Sequence, residues 1–151
     1  IGFVPQKIFI LDESLRNNIL FGLDNKKYKD DQIISMIKKF NLEILLKRLT
    51  GGLDGNLGEE GVNLSGGEIQ RIGLCRSMIY DPEILFLDEA TSSLDTNTES
   101  QILDELGMFK EKTIISIAHR INTLKNCDKI YRLNNGKVVD EGSFDKFKMQ
   151  N

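Results

Sequence analysis

The run ILFLDE, Ile84 to Glu89, sets two carboxylates directly behind four apolar residues. A carboxylate at the C-terminal end of a buried parallel strand lies where open α/β sheets bind ligands. Asp88 in that place is suited to hold Mg²⁺ beside a phosphate. Glu89, the next residue, can accept a proton from an attacking water. Taken alone, the pattern fits an ordinary strand and polar loop equally well. The segment LSGGE, Leu64 to Glu68, is harder to explain without a ligand. Ser65 and Glu68 have the spacing of a capping box, which accounts for both. It does not account for Gly66 and Gly67, each of which weakens a helix by about 1 kcal/mol relative to alanine. Bare backbone N–H groups at the positive end of a helix are open to an anion, and the Ser65 hydroxyl is a further donor. His119, the one histidine, follows the apolar run IISIA and so falls at the same sheet edge as Asp88. Gln6, in VPQ, ends the first strand and reaches the same edge. SSLD, Ser92 to Asp95, lies just past the carboxylate pair; its ordinary role is a turn leading into a helix.

The elements that position these residues follow from periodicity and punctuation. IGFVPQ is a strand end broken by Pro5. SLRNNILFG is a short helix with Ser14 as cap and Gly22 as stop. YKDDQIISMIKKF places Ile33, Ile34, Ile37 and Phe40 on one helical face, and NLEILLKRLT continues as a second helix. The glycine-rich GGLDGNLGEEGVN is a loop. SGGEIQRIGLCRSMIY is a helix with Ile69, Ile72, Leu74, Met78 and Ile79 buried, ended by Asp81-Pro82. EILFLDE then reads as a strand buried on both faces of a parallel sheet. TNTESQILDELGMF is a helix with Thr96 and Glu99 spaced as a capping box. KTIISIAH is a second apolar strand, and RINTLKNC a short helix. DKIYRLNNGKVVDEG is a hairpin turning at Asn135-Gly136, and SFDKFKMQN a last short helix. The order makes an α/β fold with a helical insertion between the first two strands.

Composition narrows the function classes. The 151 residues are 40% hydrophobic with net charge -3, enough for most of one compact domain. Acidic and basic residues are interspersed, so no nucleic-acid footprint is visible. Cys75 and Cys127 have neither metal-ligand nor redox-motif spacing and fit a reducing cytosol. No apolar run is long enough to span a bilayer. The chain opens on Ile1 already inside a strand, which reads as a chain cut within a fold.

Together these motifs, in this order and spacing, resemble the nucleotide-binding domain of ABC transporters over essentially the whole chain. VPQ is similar to the Q-loop, LSGGEIQR to the ABC signature, ILFLDE to the Walker B strand with its catalytic glutamate, SSLD to the D-loop, and SIAHR to the switch-histidine loop. PQKIFILDESLRNNILFG and GEEGVNLSGG resemble exporter segments, the second of which touches the transmembrane coupling helices in that branch. The resemblance implies a P-loop NTPase (RecA-like) core with a parallel sheet, formed by residues 1–10 and 81–151 and truncated at its N-terminus. It adds an α-helical subdomain over 11–80 and a C-terminal β-hairpin. It further implies ATP and Mg²⁺ as ligands and a head-to-tail dimer with a second nucleotide-binding domain. The setting that the resemblance implies is the cytoplasmic face of a membrane. By the resemblance, Asp88 orders Mg²⁺, Glu89 polarises the attacking water and His119 holds the γ-phosphate. Gln6 senses Mg²⁺ and water. Ser65, Gly66 and Gly67 bind the γ-phosphate held by the partner domain, and Asp95 couples the two sites.

Three departures stand out. The signature ends in Glu68 where glutamine is commoner, and Phe144 stands where a histidine is usual. The Walker A pattern GxxxxGK[ST] is absent from the 151 residues. Lys137 in NNGKV sits on a hairpin turn and lacks the pattern's other members. The chain is therefore expected to begin after Walker A, to bind and hydrolyse no ATP alone, and to expose apolar faces and strand edges. Two other classes fit parts of the pattern. A nucleic-acid-acting ABC ATPase needs a long coiled coil between Q-loop and signature, where only compact helices occur here. An inactive regulatory subunit sits poorly with intact Glu89 and His119.

Overall fold

The computed structural model describes residues 1–58, 61, 64–92 and 94–149. Three short strands form a wholly parallel sheet: β1 (Gly2–Val4), β2 (Ile84–Asp88) and β3 (Thr113–Ile117), side by side in that order. Val4 lies opposite Leu87 and Asp88 opposite Ile117, so all three strands end at one edge. A separate antiparallel pair, β4 (Ile130–Asn134) and β5 (Lys137–Gly142), is the expected hairpin. Asn135 and Gly136 both take positive φ, as a two-residue type I′ turn requires.

The helices are α1 (Leu15–Ile19), α2 (Asp30–Lys39), α3 (Glu43–Arg48), α4 (Gly66–Met78), α5 (Thr96–Leu106) and α6 (Phe144–Lys148). Ser14 caps α1 as expected, its hydroxyl accepting from the Asn17 N–H. The cap of α5 differs from the capping box expected at Thr96. Asp95 takes that place, accepting from the Asn97 and Thr98 N–H groups, and this frees Glu99 for another role. The short helix expected over RINTLKNC is a single 3₁₀ turn, Ile121–Leu124.

The core lies under one face of the sheet. Val4, Leu85 and Leu87 point into it, and Ile33, Ile37, Phe40, Ile72, Leu74 and Met78 meet them from the helices. Helix α4 lies hard against β1: a Cβ at Gly2 would come within 2.6 Å of the Ser77 carbonyl oxygen. β2 was expected to be buried on both faces, and here the structure differs. Alternate residues Ile84, Phe86 and Asp88 are only half-buried, and their neighbours Phe3, Ile115 and Ile117 are exposed. No described element covers that face, so the apolar run packs on one side only. Exposed apolar faces were expected from the absent Walker A pattern, and Phe3, Ile115 and Ile117 form one.

One polar knot fixes the segment that follows Gln6. Asn18 is fully buried in α1. Its Nδ2 donates to the Leu11, Glu13 and Ser14 carbonyls, and its Oδ1 accepts from the Leu11 N–H and from Arg76 Nη2. Arg76 of α4 also donates to the Asn18 carbonyl (2.5 Å) and the Phe9 carbonyl (2.6 Å). Burial pushes its guanidinium down to about 10, still charged at neutral pH. The two residues thus join α1, α4 and the loop between Gln6 and α1. Burial also raises both cysteine thiols, so neither is a thiolate at neutral pH. Asn18→Leu keeps the branched shape of the side chain and orphans several buried groups, each costing about 1–3 kcal/mol. Urea unfolding should show a loss of at least about 2 kcal/mol; an unchanged midpoint would remove the knot from the account.

Candidate functional site

The parallel sheet decides where the chemistry-bearing residues meet. β2 runs out at Asp88, β1 brings Gln6 two residues past its end, and β3 brings His119 two residues past its own. The Glu89 N–H donates to the Ile117 carbonyl (3.0 Å), extending the β2–β3 pairing by one residue. Glu89 then turns sharply, with φ 49°, a left-handed conformation that strains a non-glycine residue by about 1–3 kcal/mol.

The turn delivers its carboxylate between the two neighbouring strands. Gln6 Nε2 donates to Glu89 Oε2 at 2.8 Å, and His119 Nε2 lies 2.7 Å from Glu89 Oε1. With Gln6 and His119 approaching separate oxygens, the carboxylate is held from both sides. The Glu89 side chain is 21% exposed and the imidazole 81% exposed, so the pair forms a wall open to solvent. Glu89, Thr91, Ser92, Ile117, His119 and Arg120 line a cleft of about 170 Å³. Asp88 sits on the strand face opposite Leu87, half-buried, and its carboxylate makes no hydrogen bond or ion pair among the described residues. No three-carboxylate or histidine metal cluster occurs among the described residues.

Ser65, Gly66 and Gly67 form a second locus at the N-terminus of α4. The full capping box is present: the Glu68 N–H donates to Ser65 Oγ (3.2 Å), and the Ser65 N–H donates to Glu68 Oε2 (2.8 Å). The Ser65 hydroxyl donates to the same carboxylate at 2.9 Å, and Arg48 pairs with Glu68 at 3.1 Å. The two glycines are not equivalent. A Cβ at Gly66 would make an ordinary contact with Leu94, whereas one at Gly67 would lie 2.7 Å from Thr98 Cγ2. Packing of α4 on α5 therefore explains Gly67, a contact not visible in local spacing. Asp95 is exposed; the Thr98 side chain and the backbone N–H groups it caps hold its carboxyl below the usual range. No hydrogen bond or ion pair joins Ser65–Gly67 to the Glu89 cluster among the described residues. Ser93 of SSLD, and Glu59, Glu60, Val62 and Asn63 of the GEEGVN loop, lie outside the described residues.

Several residues around the site were not singled out by sequence. Gln70, buried in α4, donates to the Gln6 carbonyl at 3.4 Å and so ties the two loci. Thr91, Glu99 and Thr123 form a buried cluster behind the cleft. Nothing in local spacing marks Gln70, Thr91 or Thr123, and spacing marks Glu99 only as a capping-box partner of Thr96, because the links join separate segments.

Residues 1–92 match the family model described as ABC transporter. The chain belongs to the ABC transporter family. It is 42% identical over 144 residues to a Rickettsia typhi protein that bears the name of an export ATP-binding/permease protein, covering 95% of this chain and 25% of that one. Against ABC transporter B family member 17 of Arabidopsis thaliana it is 39% identical, over 95% of this chain and 12% of the relative. A solved structure of a bacterial Atm1-family ABC exporter with ATP bound superposes with a TM-score of 0.84 at 34% identity, over 99% of this chain and 26% of that one. The α/β fold with its parallel sheet is therefore that of an ABC exporter's ATP-binding domain. The chain spans a quarter or less of the length of these curated relatives.

The two signature glycines make a direct test. Gly67→Ala should destabilise the protein by about 1–3 kcal/mol through overpacking against Thr98. Gly66→Ala should be neutral or gain up to about 1 kcal/mol from helix propensity. Equal unfolding midpoints for the two variants would refute the packing role of Gly67.

Proposed function

We propose that this chain is the hydrolytic portion of an ATP-binding domain from an exporter-type ABC transporter. In the full-length protein, ATP hydrolysis would drive substrate movement across a membrane. The observation that supports this most is the Glu89 carboxylate held between Gln6 and His119 at the C-terminal edge of a parallel sheet. In the reaction, a water attacks the γ-phosphorus, the bond to the bridging oxygen breaks, and ADP leaves. Glu89 orients that water and takes its proton. The His119 Nε2–H, which lies against Glu89 Oε1 at the cleft wall, would turn from it to donate to the γ-phosphate as negative charge shifts there. Gln6 holds the second Glu89 oxygen and keeps the carboxylate aimed. Asp88, which has no hydrogen-bond or ion-pair partner among the described residues, and the Gln6 side-chain oxygen would hold Mg²⁺ as hard oxygen donors alongside phosphates. Bound there, the ion would neutralise charge on the β- and γ-phosphates.

Ser65, Gly66 and Gly67 serve a different nucleotide in this reading, one held by a second nucleotide-binding domain packed head to tail. The separation of the two loci and the positive N-terminus of the 13-residue α4 support it. Asp95, at the head of α5, couples the two sites. Residues 1–10 with 81–151 act as the core and 11–80 as the helical subdomain. The buried Arg71–Glu105 pair and the Asn41–Glu105 hydrogen bond (2.7 Å) link the two parts. Exposed Phe9 and Phe21 beside Arg76 offer an apolar surface to the transmembrane domain. No described helix is long and apolar enough to cross a membrane. The working place is the cytoplasmic face of the membrane.

Purified full-length protein should turn over ATP, and Glu89→Gln should lower kcat by about 10²-fold or more while nucleotide still binds. The 151 residues alone, without a GxxxxGK[ST] loop, should show no turnover. Full activity in Glu89→Gln would overturn the assignment of Glu89.

A further inference from the structure

Glu99 is a carboxylate only 5% exposed, on a helix whose cap is made by another residue. Burying such a group is costly unless it is fully partnered. Its Oε1 accepts from the Thr91 hydroxyl at 2.9 Å and from the Thr123 hydroxyl at 2.7 Å. Its Oε2 lies 3.6 Å from Arg120 Nη1, which also donates to the Leu94 carbonyl at 3.3 Å. The first turn of α5 adds the favourable end of a helix dipole.

Each partner comes from a segment that carries a residue of the site. Thr91 lies two residues past Glu89, in a turn closed by the Ser92 N–H to Glu89 carbonyl bond and the Leu94 N–H to Thr91 carbonyl bond. Leu94 directly precedes Asp95. Arg120 directly follows His119, and Thr123 closes the 3₁₀ turn behind it through its N–H to the Arg120 carbonyl. Thr91, Arg120 and Thr123 also line the cleft that Glu89 and His119 face. One buried carboxylate therefore fastens, from behind, the two loops that carry Glu89 with Asp95 and His119.

We infer that Glu99 is a positioning residue for hydrolysis: it sets the relative placement of Glu89 and His119 without touching the nucleotide. The inference rests on the hydrolytic reading of this site. A carboxylate that merely stabilised α5 would leave catalysis by folded protein unchanged. Loosening the two loops instead misplaces the general base and the phosphate donor relative to each other, while nucleotide contacts made elsewhere persist.

The test uses the full-length protein, assayed well below the melting temperature of each variant. ATP turnover and the Kd of a fluorescent ATP analogue are measured separately. Glu99→Ala should lower kcat by about 10- to 100-fold, the scale of a small misplacement, with Kd within about twofold. Thr123→Val, which keeps shape and removes one hydroxyl, should lower kcat by a smaller factor. In a His119→Ala background, Glu99→Ala should add less than about twofold, because residues acting as a unit are non-additive. A folded Glu99→Ala protein with wild-type kcat and only a lower melting temperature would overturn the inference. So would a full multiplicative loss in the His119→Ala background. If Glu99→Ala does not fold, Thr123→Val decides: unchanged kcat overturns the proposal. Wild-type protein whose turnover survives Glu89→Gln would instead sink the hydrolytic reading, and this inference with it.

Discussion

The arrangement depends on one carboxylate being held by two strands at once. Glu89 leaves the middle strand of a parallel trio, and its oxygens are taken by Gln6 from one neighbour and His119 from the other. This works only because β1 and β3 flank β2 with the same polarity and end level with it. A one-residue slip in either pairing would turn the adjoining side chains to the opposite face. The left-handed backbone at Glu89 is the local cost of the geometry, and the β2–β3 extension through the Glu89 N–H helps to hold it.

The remainder of the molecule supports that junction. Helix α4 packs so closely on β1 that Gly2 cannot carry a side chain, and Gln70 on the same helix reaches the Gln6 carbonyl. Further along α4, Arg76 and the buried Asn18 fix the loop leaving Gln6. At its other end α4 presents Ser65 and Gly66, with Gly67 wedged against Thr98 of α5. A single helix thus joins the Ser65–Gly67 locus to the Gln6–Glu89 junction, which in the proposed reading serve a partner's nucleotide and the chain's own.

What was legible in the sequence was local. Apolar runs ending in charge located β2 and β3 and hence Asp88, Glu89 and His119, and serine spacing marked the starts of α1 and α4. Spatial facts were not legible. Nothing in VPQ announces that β1 lies beside β2, so the hydrogen bond from Gln6 to Glu89 could not be read from it. Thr96 and Glu99 match a capping box in spacing. Asp95, one residue earlier, won the cap because its carboxylate reaches two N–H groups, and Glu99 turned inward to Thr91 and Thr123. Gly67 read as bare backbone for an anion, yet its missing side chain also makes room for a helix 30 residues away in sequence. The strand expected to be covered on both faces is covered on one, because hydrophobic runs report what can be buried and not what is there to bury it.

The central claim is that Gln6 and His119 act through the same carboxylate as one unit. A double-mutant cycle on ATP turnover by the full-length protein tests it directly, with Gln6→Ala, His119→Ala and the pair. The account predicts that the double variant loses little more than the more damaged single one. Losses that multiply, with free energies adding within about 0.5 kcal/mol, would show two independent residues and contradict it.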